Sequence, residues 1–279
     1  MKATRNLKIG VAFSGGIAYT VAHIGVLKAL EEGGVTIDCA AGTSGGSFVG
    51  ACYAAGMTPD ELIRAASDLR WRQLARLQVP RLGLFSSERI EKFITRYIGE
   101  ITFSDLRIPF SAVCADVVTG RQVVLDSGPV ASAVRASCSI PQVFAPVERD
   151  GTLLTDGGLA DKLPVECVVS LGADIVIGSD VGYKSRRTHT PRNMIEAVLG
   201  LMSFVGEDRA ARQRALADFM IYPALQGYSA LNFTKYEESV EAGERAASEV
   251  VPRILDELDY RRSLLGSSQW STSTDYAVT

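Results

Sequence analysis

Histidine is nearly missing from this chain, with only His23 and His189 among its 279 residues. A mechanism that needs an imidazole base therefore has two places to find one. Charge of one sign is missing too. Lys and Arg total 29 against 32 Asp and Glu, a net charge of −3, so there is no electrostatic footprint for nucleic acid. The five cysteines, Cys39, Cys52, Cys114, Cys138 and Cys167, are odd in number, scattered through apolar segments and without a C-x-x-C pair. Reduced core thiols and a cytoplasmic setting are expected. No apolar run approaches the ~18 residues that cross a bilayer. The basic start (Lys2, Arg5, Lys8) is not followed by the apolar segment of a signal peptide. Neither G-x-G-x-x-G nor Gly-Lys-Ser/Thr occurs, which removes the common nucleotide loops. No ligand cluster has zinc spacing, so neither metal nor cofactor is expected.

What is present reads as an ordinary globular enzyme, 47% hydrophobic and 22% charged. The span 7–13 predicts a strand ending at Ser14-Gly15-Gly16, 20–31 a helix stopped by Gly33-Gly34, and 35–41 a second strand. Strand, helix and strand at this spacing form a βαβ unit with parallel neighbours. Thr58-Pro59-Asp60-Glu61 carries an N-cap and a Pro at the first helical position. Ser87-Glu88 opens a helix to 97, and strands are predicted over 108–115 and 122–125 around Thr119-Gly120. A hairpin over 147–154 turns at Asp150-Gly151, followed by a helix over 164–171 and a strand over 174–179. Long helices are predicted over 193–219 and 237–258, with a disordered Ser/Thr-rich tail over 266–279. The expected organisation is one α/β domain over 1–265, its motifs in 8–180 and a helical C-terminal part over 190–262.

The chemistry centres on Gly42-Thr43-Ser44-Gly45-Gly46, a G-x-S-x-G pentapeptide between a predicted strand and a predicted helix. Glycines on both sides let the chain turn sharply and leave the Ser44 hydroxyl exposed above the sheet. The helix N-terminus behind it favours an incoming oxyanion. The pentapeptide alone reads equally well as a tight turn with an inert serine. A nucleophile needs a base, and His189 lies in the polar loop 184–191, a poor setting for fixed geometry. His23 sits on the first helix and reads as packed. Only two strands precede Ser44, too few for an α/β-hydrolase core. The remaining candidate is Asp156, where the apolar strand Leu153-Leu154-Thr155 breaks into Gly157-Gly158. A carboxylate there can accept a serine proton, or cap its own Asx-turn; the residues alone leave both open. Ser14-Gly15-Gly16-Ile17 follows the first strand, and successive N–H groups there fit an oxyanion hole beside Ser44.

Four ordered blocks then give a resemblance. Ser14-Gly15-Gly16 with His23-Ile24-Gly25-Val26-Leu27, the Ser44 pentapeptide, Arg135-Ala136-Ser137-Cys138-Ser139-Ile140-Pro141, and Asp156-Gly157-Gly158 with Asp161-Lys162-Leu163-Pro164-Val165 together resemble the patatin-like phospholipase family over roughly 8–180. The resemblance implies a three-layer α/β/α fold with a mostly parallel central sheet and a helical C-terminal region. It further implies hydrolysis of lipid acyl esters through an acyl-enzyme, with Ser44 as nucleophile and Asp156 as general base. The backbone N–H groups of Gly15, Gly16 and Ile17 would form the oxyanion hole, and Gly42, Gly45, Gly46, Gly157 and Gly158 the elbow and turn. The glycine loop departs from the family pattern, with Ile17 for a third Gly, Tyr19 for a basic residue and Thr20 for the last Gly. Ile17 is expected to donate its N–H at negative φ, because a β-branched residue is strained otherwise. Two alternatives stand beside this reading: an esterase for short soluble esters, and a non-catalytic lipid- or acyl-binding relative. The segment 70–85 mixes arginines with Trp71 and aliphatics. It reads either as an interfacial lid making a peripheral membrane contact or, preferably, as a loop packed on the body with solvated arginines. The charges of 207–214 read as a solvated helix face.

Overall fold

The computed structural model describes residues 6–77, 82–183, 190–191 and 194–267. His189 and the tail from 268 onwards lie outside the described residues. The strands are β1 (Ile9–Phe13), β2 (Cys39–Thr43), β3 (Arg76–Leu77), β4 (Gly83–Ser86), β5 (Phe110–Asp116), β6 (Gln122–Leu125), β7 (Gln142–Phe144), β8 (Val147–Arg149), β9 (Thr152–Asp156), β10 (Ile175–Ser179) and β11 (Phe219–Ile221). The main sheet, eight-stranded among the described residues, runs β11-β10-β1-β2-β5-β9-β8, with β6 also on β5. From β11 to β5 every pairing is parallel, and β6, β9 and β8 join antiparallel. The short β3, β4 and β7 form a second, three-stranded sheet.

Alternation along the strands decides which layer each side chain enters. Val11 and Phe13 of β1, Ala40 of β2 and Ile175 and Ile177 of β10 share one core. The helices α1 (Ala22–Glu32), α2 (Gly45–Ala54), α3 (Pro59–Asp68), α4 (Trp71–Leu74), α5 (Glu88–Ile98) and α6 (Val130–Ser137) pack into it. The intervening residues Ala12, Ala41 and Val176 meet Val165 and Val168 of α7 (Val165–Ser170) on the other face. The result is a three-layer α/β/α fold. A capping box at Thr58 starts α3, its hydroxyl accepting from Glu61 N–H while the Glu61 carboxylate accepts from Thr58 N–H.

Two predicted helices are each two elements. The span 193–219 is divided by Gly206, at φ 71, into α8 (Met194–Phe204) and α9 (Glu207–Leu216). Its last residue, Phe219, opens β11, which extends the sheet through Ile221. Only glycine takes that left-handed angle freely, and the helix ladder stops there. The span 237–258 divides into α10 (Tyr236–Ser248) and α11 (Val251–Ser267). Pro252 has no N–H to continue the α10 ladder and suits the first turn of a new helix. No helix among the described residues is long and apolar enough to cross a membrane.

Candidate active site

Register brings the two chemical side chains together. β5 runs past the end of β2, since Thr43 pairs with Val113 while β5 continues to Asp116. β9 returns antiparallel along that overhang and stops with Asp156 opposite Cys114. Ser44 caps β2 and Asp156 ends β9, one strand apart and at the same height. Ser44 Oγ donates to Asp156 Oδ2 at 2.6 Å, and Asp156 Oδ1 accepts from Gly158 N–H at 2.8 Å. Burial pushes the Asp156 carboxyl up to about 6, against the pull of these two hydrogen bonds. At neutral pH the group is ionised yet more basic than an ordinary carboxylate.

Ser44 sits at φ 53, ψ −130, a conformation few non-glycine residues adopt and one that stores roughly 1–3 kcal/mol. The elbow is held closed by contact distance. A Cβ on Gly42 would lie 2.5 Å from the Gly46 carbonyl oxygen, and one on Gly46 would lie 2.5 Å from the Phe13 and Ser14 oxygens. The Arg135–Pro141 block supplies its props. Ser137 Oγ accepts the Ser44 N–H at 2.9 Å and donates to Val113 O at 2.6 Å. Ser139 O accepts the Asp156 N–H at 2.9 Å and the Thr155 hydroxyl at 2.7 Å. Both serines act on the site only by positioning it.

The glycine loop stands beside the elbow at the end of β1. Gly15 N–H is already bonded to Lys162 O at 3.0 Å. The N–H groups of Gly16 and Ile17 have no partner among the described residues, which leaves these two as the loop's open donors. Ile17 lies at φ 53, not at the negative φ expected from its branching. The loop thus keeps the left-handed backbone suited to glycine, and the isoleucine bears the strain. His23 fixes the loop from below. Its Nε2 contacts Ser14 O at 2.9 Å, so that nitrogen carries the proton, and Nδ1 accepts from Ser179 Oγ at 2.8 Å. Burial holds its pKa down to about 4. Both ring nitrogens are committed, which leaves none for Ser44.

A family model described as patatin-like phospholipase matches residues 11–169. This chain belongs to the patatin-like phospholipase family. An uncharacterized NTE family protein of Mycobacterium tuberculosis is 37% identical over 190 residues, covering 65% of this chain and 52% of the relative. A lysophospholipase of Pyricularia oryzae is 30% identical over 284 residues, covering 89% of this chain and 19% of the relative. The chain thus spans about half the length of the first relative and about a fifth of the second. Among solved structures, VipD from Legionella pneumophila aligns with TM-score 0.54 at 14% identity, over 89% of this chain and 67% of that one. The type III effector ExoU aligns with TM-score 0.51 at 12% identity, over 89% and 53%. These two likenesses establish the fold.

Two cavities meet at the patatin-like elbow, and Ile17, Ser44 and Ile140 line both. One is apolar, walled by Phe48, Leu62, Trp71, Phe93, Phe144 and Phe233 among others. The other is the more polar of the two, with Lys162, Asp180, Tyr183, Glu207 and Arg214 in its wall beside Leu199 and Met202. Its cations are matched in place: Arg214 bonds Asp180 at 2.9 Å and pairs with Glu207, and Lys162 lies 3.9 Å from Glu207. The face 207–214 is therefore only partly solvated: Asp208 and Arg212 are exposed as expected, whereas Arg209, Gln213 and Arg214 turn inward. Gln213 is 1% exposed and bridges Asp161 and Glu166, and Arg209 pairs with Asp161 at 3.2 Å. A polar stripe on a helix reads the same in sequence whether water or buried carboxylates face it. The 70–85 segment turns inward at Trp71 and Leu74, whereas Arg76 and Leu82 stay exposed. Trp71 donates its indole N–H to Leu231 O at 2.8 Å and packs edge-on against Phe233. Residues 78–81 lie outside the description.

Proposed function

We propose that this chain hydrolyses acyl esters of lipids, with Ser44 as nucleophile and Asp156 as its base. The observation that carries the reading is the 2.6 Å bond between the two side chains beneath a strained elbow, with open N–H donors alongside. As Ser44 Oγ attacks the ester carbonyl, its proton passes to Asp156 Oδ2 and the carbonyl oxygen gains the negative charge. The Gly16 and Ile17 N–H groups would hold that oxyanion. Collapse expels the alcohol, which takes the proton from Asp156 and leaves an acyl-enzyme. Water then attacks the acyl group, giving its proton to Asp156, and release of the acid returns that proton to Ser44.

The two cavities divide an amphiphile naturally. The acyl chain belongs in the aromatic-lined cavity and the alcohol or head group in the polar one. Because the polar cavity's cations already have carboxylate partners, it favours an uncharged or zwitterionic head over an anionic one. The lysophospholipase name of the fungal relative supports an ester of this kind. Hydrolysis of a long-chain lysophospholipid by wild type, Ser44→Ala and Asp156→Asn tests the assignment. Both variants should lose at least about a thousandfold in kcat. An Asp156→Asn enzyme within tenfold of wild type would overturn the dyad. Labelling of Ser44 by a fluorophosphonate separates hydrolysis from mere lipid binding.

A further inference from the structure

The eleven residues of α8, Met194–Phe204, include one charged side chain, Glu196. None of them is buried. Its inner side roofs the polar cavity through Leu199, Met202 and Ser203, and Ile195 and Val198 pack on the core. The opposite side is open. Met194, Leu201 and Phe204 are 52%, 68% and 70% exposed, and Val205, just beyond the helix, is 44% exposed. At 3.6 residues per turn, Met194, Leu201 and Val205 fall in one line with Phe204 at its flank. Single exposed apolar side chains are common on any protein; a continuous row on the lip of a cavity that holds a serine–carboxylate pair marks a contact surface.

Building on the lipid-ester reading, we propose that the outer face of α8 lies in the headgroup–acyl boundary of a lipid bilayer, so that the polar cavity opens onto the membrane surface. The helix is about 16 Å long at 1.5 Å per residue. That is too short to span the ~30 Å hydrocarbon core but suited to lying in its surface plane. The same helix walls the cavity, so a lipid surface covering its outer side is contiguous with the place where the ester must arrive. The sequence leading into it, 184–192, contains Lys184, Arg186, Arg187 and Arg192 and no acidic residue, which matches a surface containing anionic lipid. In the 70–85 segment, the inward-turned Trp71 and the single exposed Leu82 offer no comparable row.

The test uses the full chain as Ser44→Ala, so that vesicles stay intact, with sucrose-loaded vesicles of phosphatidylcholine and phosphatidylglycerol. The parent should co-sediment, and adding Leu201→Glu with Phe204→Glu should lower partitioning by at least about tenfold. With Ser44 present, the same double change should leave kcat/KM on a soluble p-nitrophenyl butyrate within about twofold, while hydrolysis of a vesicle-borne ester falls with binding. The milder Leu201→Ser, Phe204→Ser pair repeats the test if the charged variant unfolds. Equal vesicle binding by parent and variant, or no binding by the parent, would overturn the proposal. So would sedimentation velocity showing a parent dimer that the variant splits, since a second copy would then cover the face. If the Ser44 chain turns over no ester yet vesicle binding still depends on Leu201 and Phe204, the hydrolytic reading fails and the docking surface stands.

Discussion

Replacing Ile17 with glycine separates what the loop backbone does from what its side chain does. At φ 53 the isoleucine bears a strain of roughly 1–2 kcal/mol, which glycine removes. Against this, glycine adds unfolded-state freedom of roughly 0.5–1 kcal/mol. The half-buried side chain also gives up about half of the roughly 1.5–3 kcal/mol that full burial would supply. These contributions nearly cancel, so Ile17→Gly should change stability by no more than about 1–1.5 kcal/mol. For a chain of this size that is a few degrees in Tm. The N–H donor survives the substitution, whereas losing such a donor costs about 2.7–4 kcal/mol of transition-state stabilisation. Steady-state kinetics on a short p-nitrophenyl ester should therefore show kcat within about threefold of wild type. A bulky acyl ester should improve, because the wall shared by the two cavities has been cut back. A gain of tenfold or more in kcat on the short ester would refute this reasoning by showing that isoleucine misplaces the donor.

Other expectations follow from the same geometry. Asp156 has a folded pKa of about 6 against ~3.9 unfolded, so the folded state holds the proton more tightly and stability falls as pH rises from about 4 to about 6. That amounts to about 3 kcal/mol; Asp161, also raised to about 6, acts in the same direction. Denaturant melts should accordingly show Asp156→Asn gaining stability relative to wild type between pH 4 and 8, and an unchanged difference would refute the raised pKa. The activity limb has the opposite sense, with kcat/KM of wild type falling below about pH 6 as the base is protonated. Ser137→Ala removes the hydroxyl that accepts the buried Ser44 N–H and donates to Val113 O. It should cost about 2–4 kcal/mol in chemical denaturation and lower kcat more than it raises KM. His23→Ala should destabilise the fold through the lost Ser14 and Ser179 bonds, with kcat of the folded protein within about tenfold of wild type; a loss of several orders of magnitude would point to a histidine base.

The motif residues were legible because each needs a local conformation that few residue types permit. Gly42 and Gly46 announced a turn with no room for a side chain, and the strand before Asp156 announced where it would break. The strand order was only partly legible: neighbouring β1 and β2 followed from the βαβ spacing, but nothing local reveals that β10 lies on the other side of β1 with β11 beyond it. The βαβ pattern likewise gave no hint of β5's overhang, the feature that sets Asp156 level with Ser44. Ser137 and Ser139 stood in a recognised block without a role, because a hydroxyl's partner across a sheet leaves no periodic trace. Ile17 departs from its expected backbone angle. Intrinsic preference argued for negative φ, and the anchoring of Ser14 and Ala18 on either side overrode it.

The placement of β10 also bears on the order of synthesis. The elbow and its helix are complete once residue 54 is made, but Asp156 is 112 residues beyond Ser44. The glycine loop is tied down later still, by Lys162 O on the Gly15 N–H and Ser179 O on the Ser14 N–H. Until β10 emerges, β1 has a bare edge and its donors are unaimed. On the proposed mechanism, a nascent chain therefore carries Ser44 on the ribosome before Asp156 or a fixed glycine loop is in place. If the proposed hydrolysis holds, recovery of activity on refolding should report closure of these long-range pairs, a step that trails helix formation in proteins of high contact order.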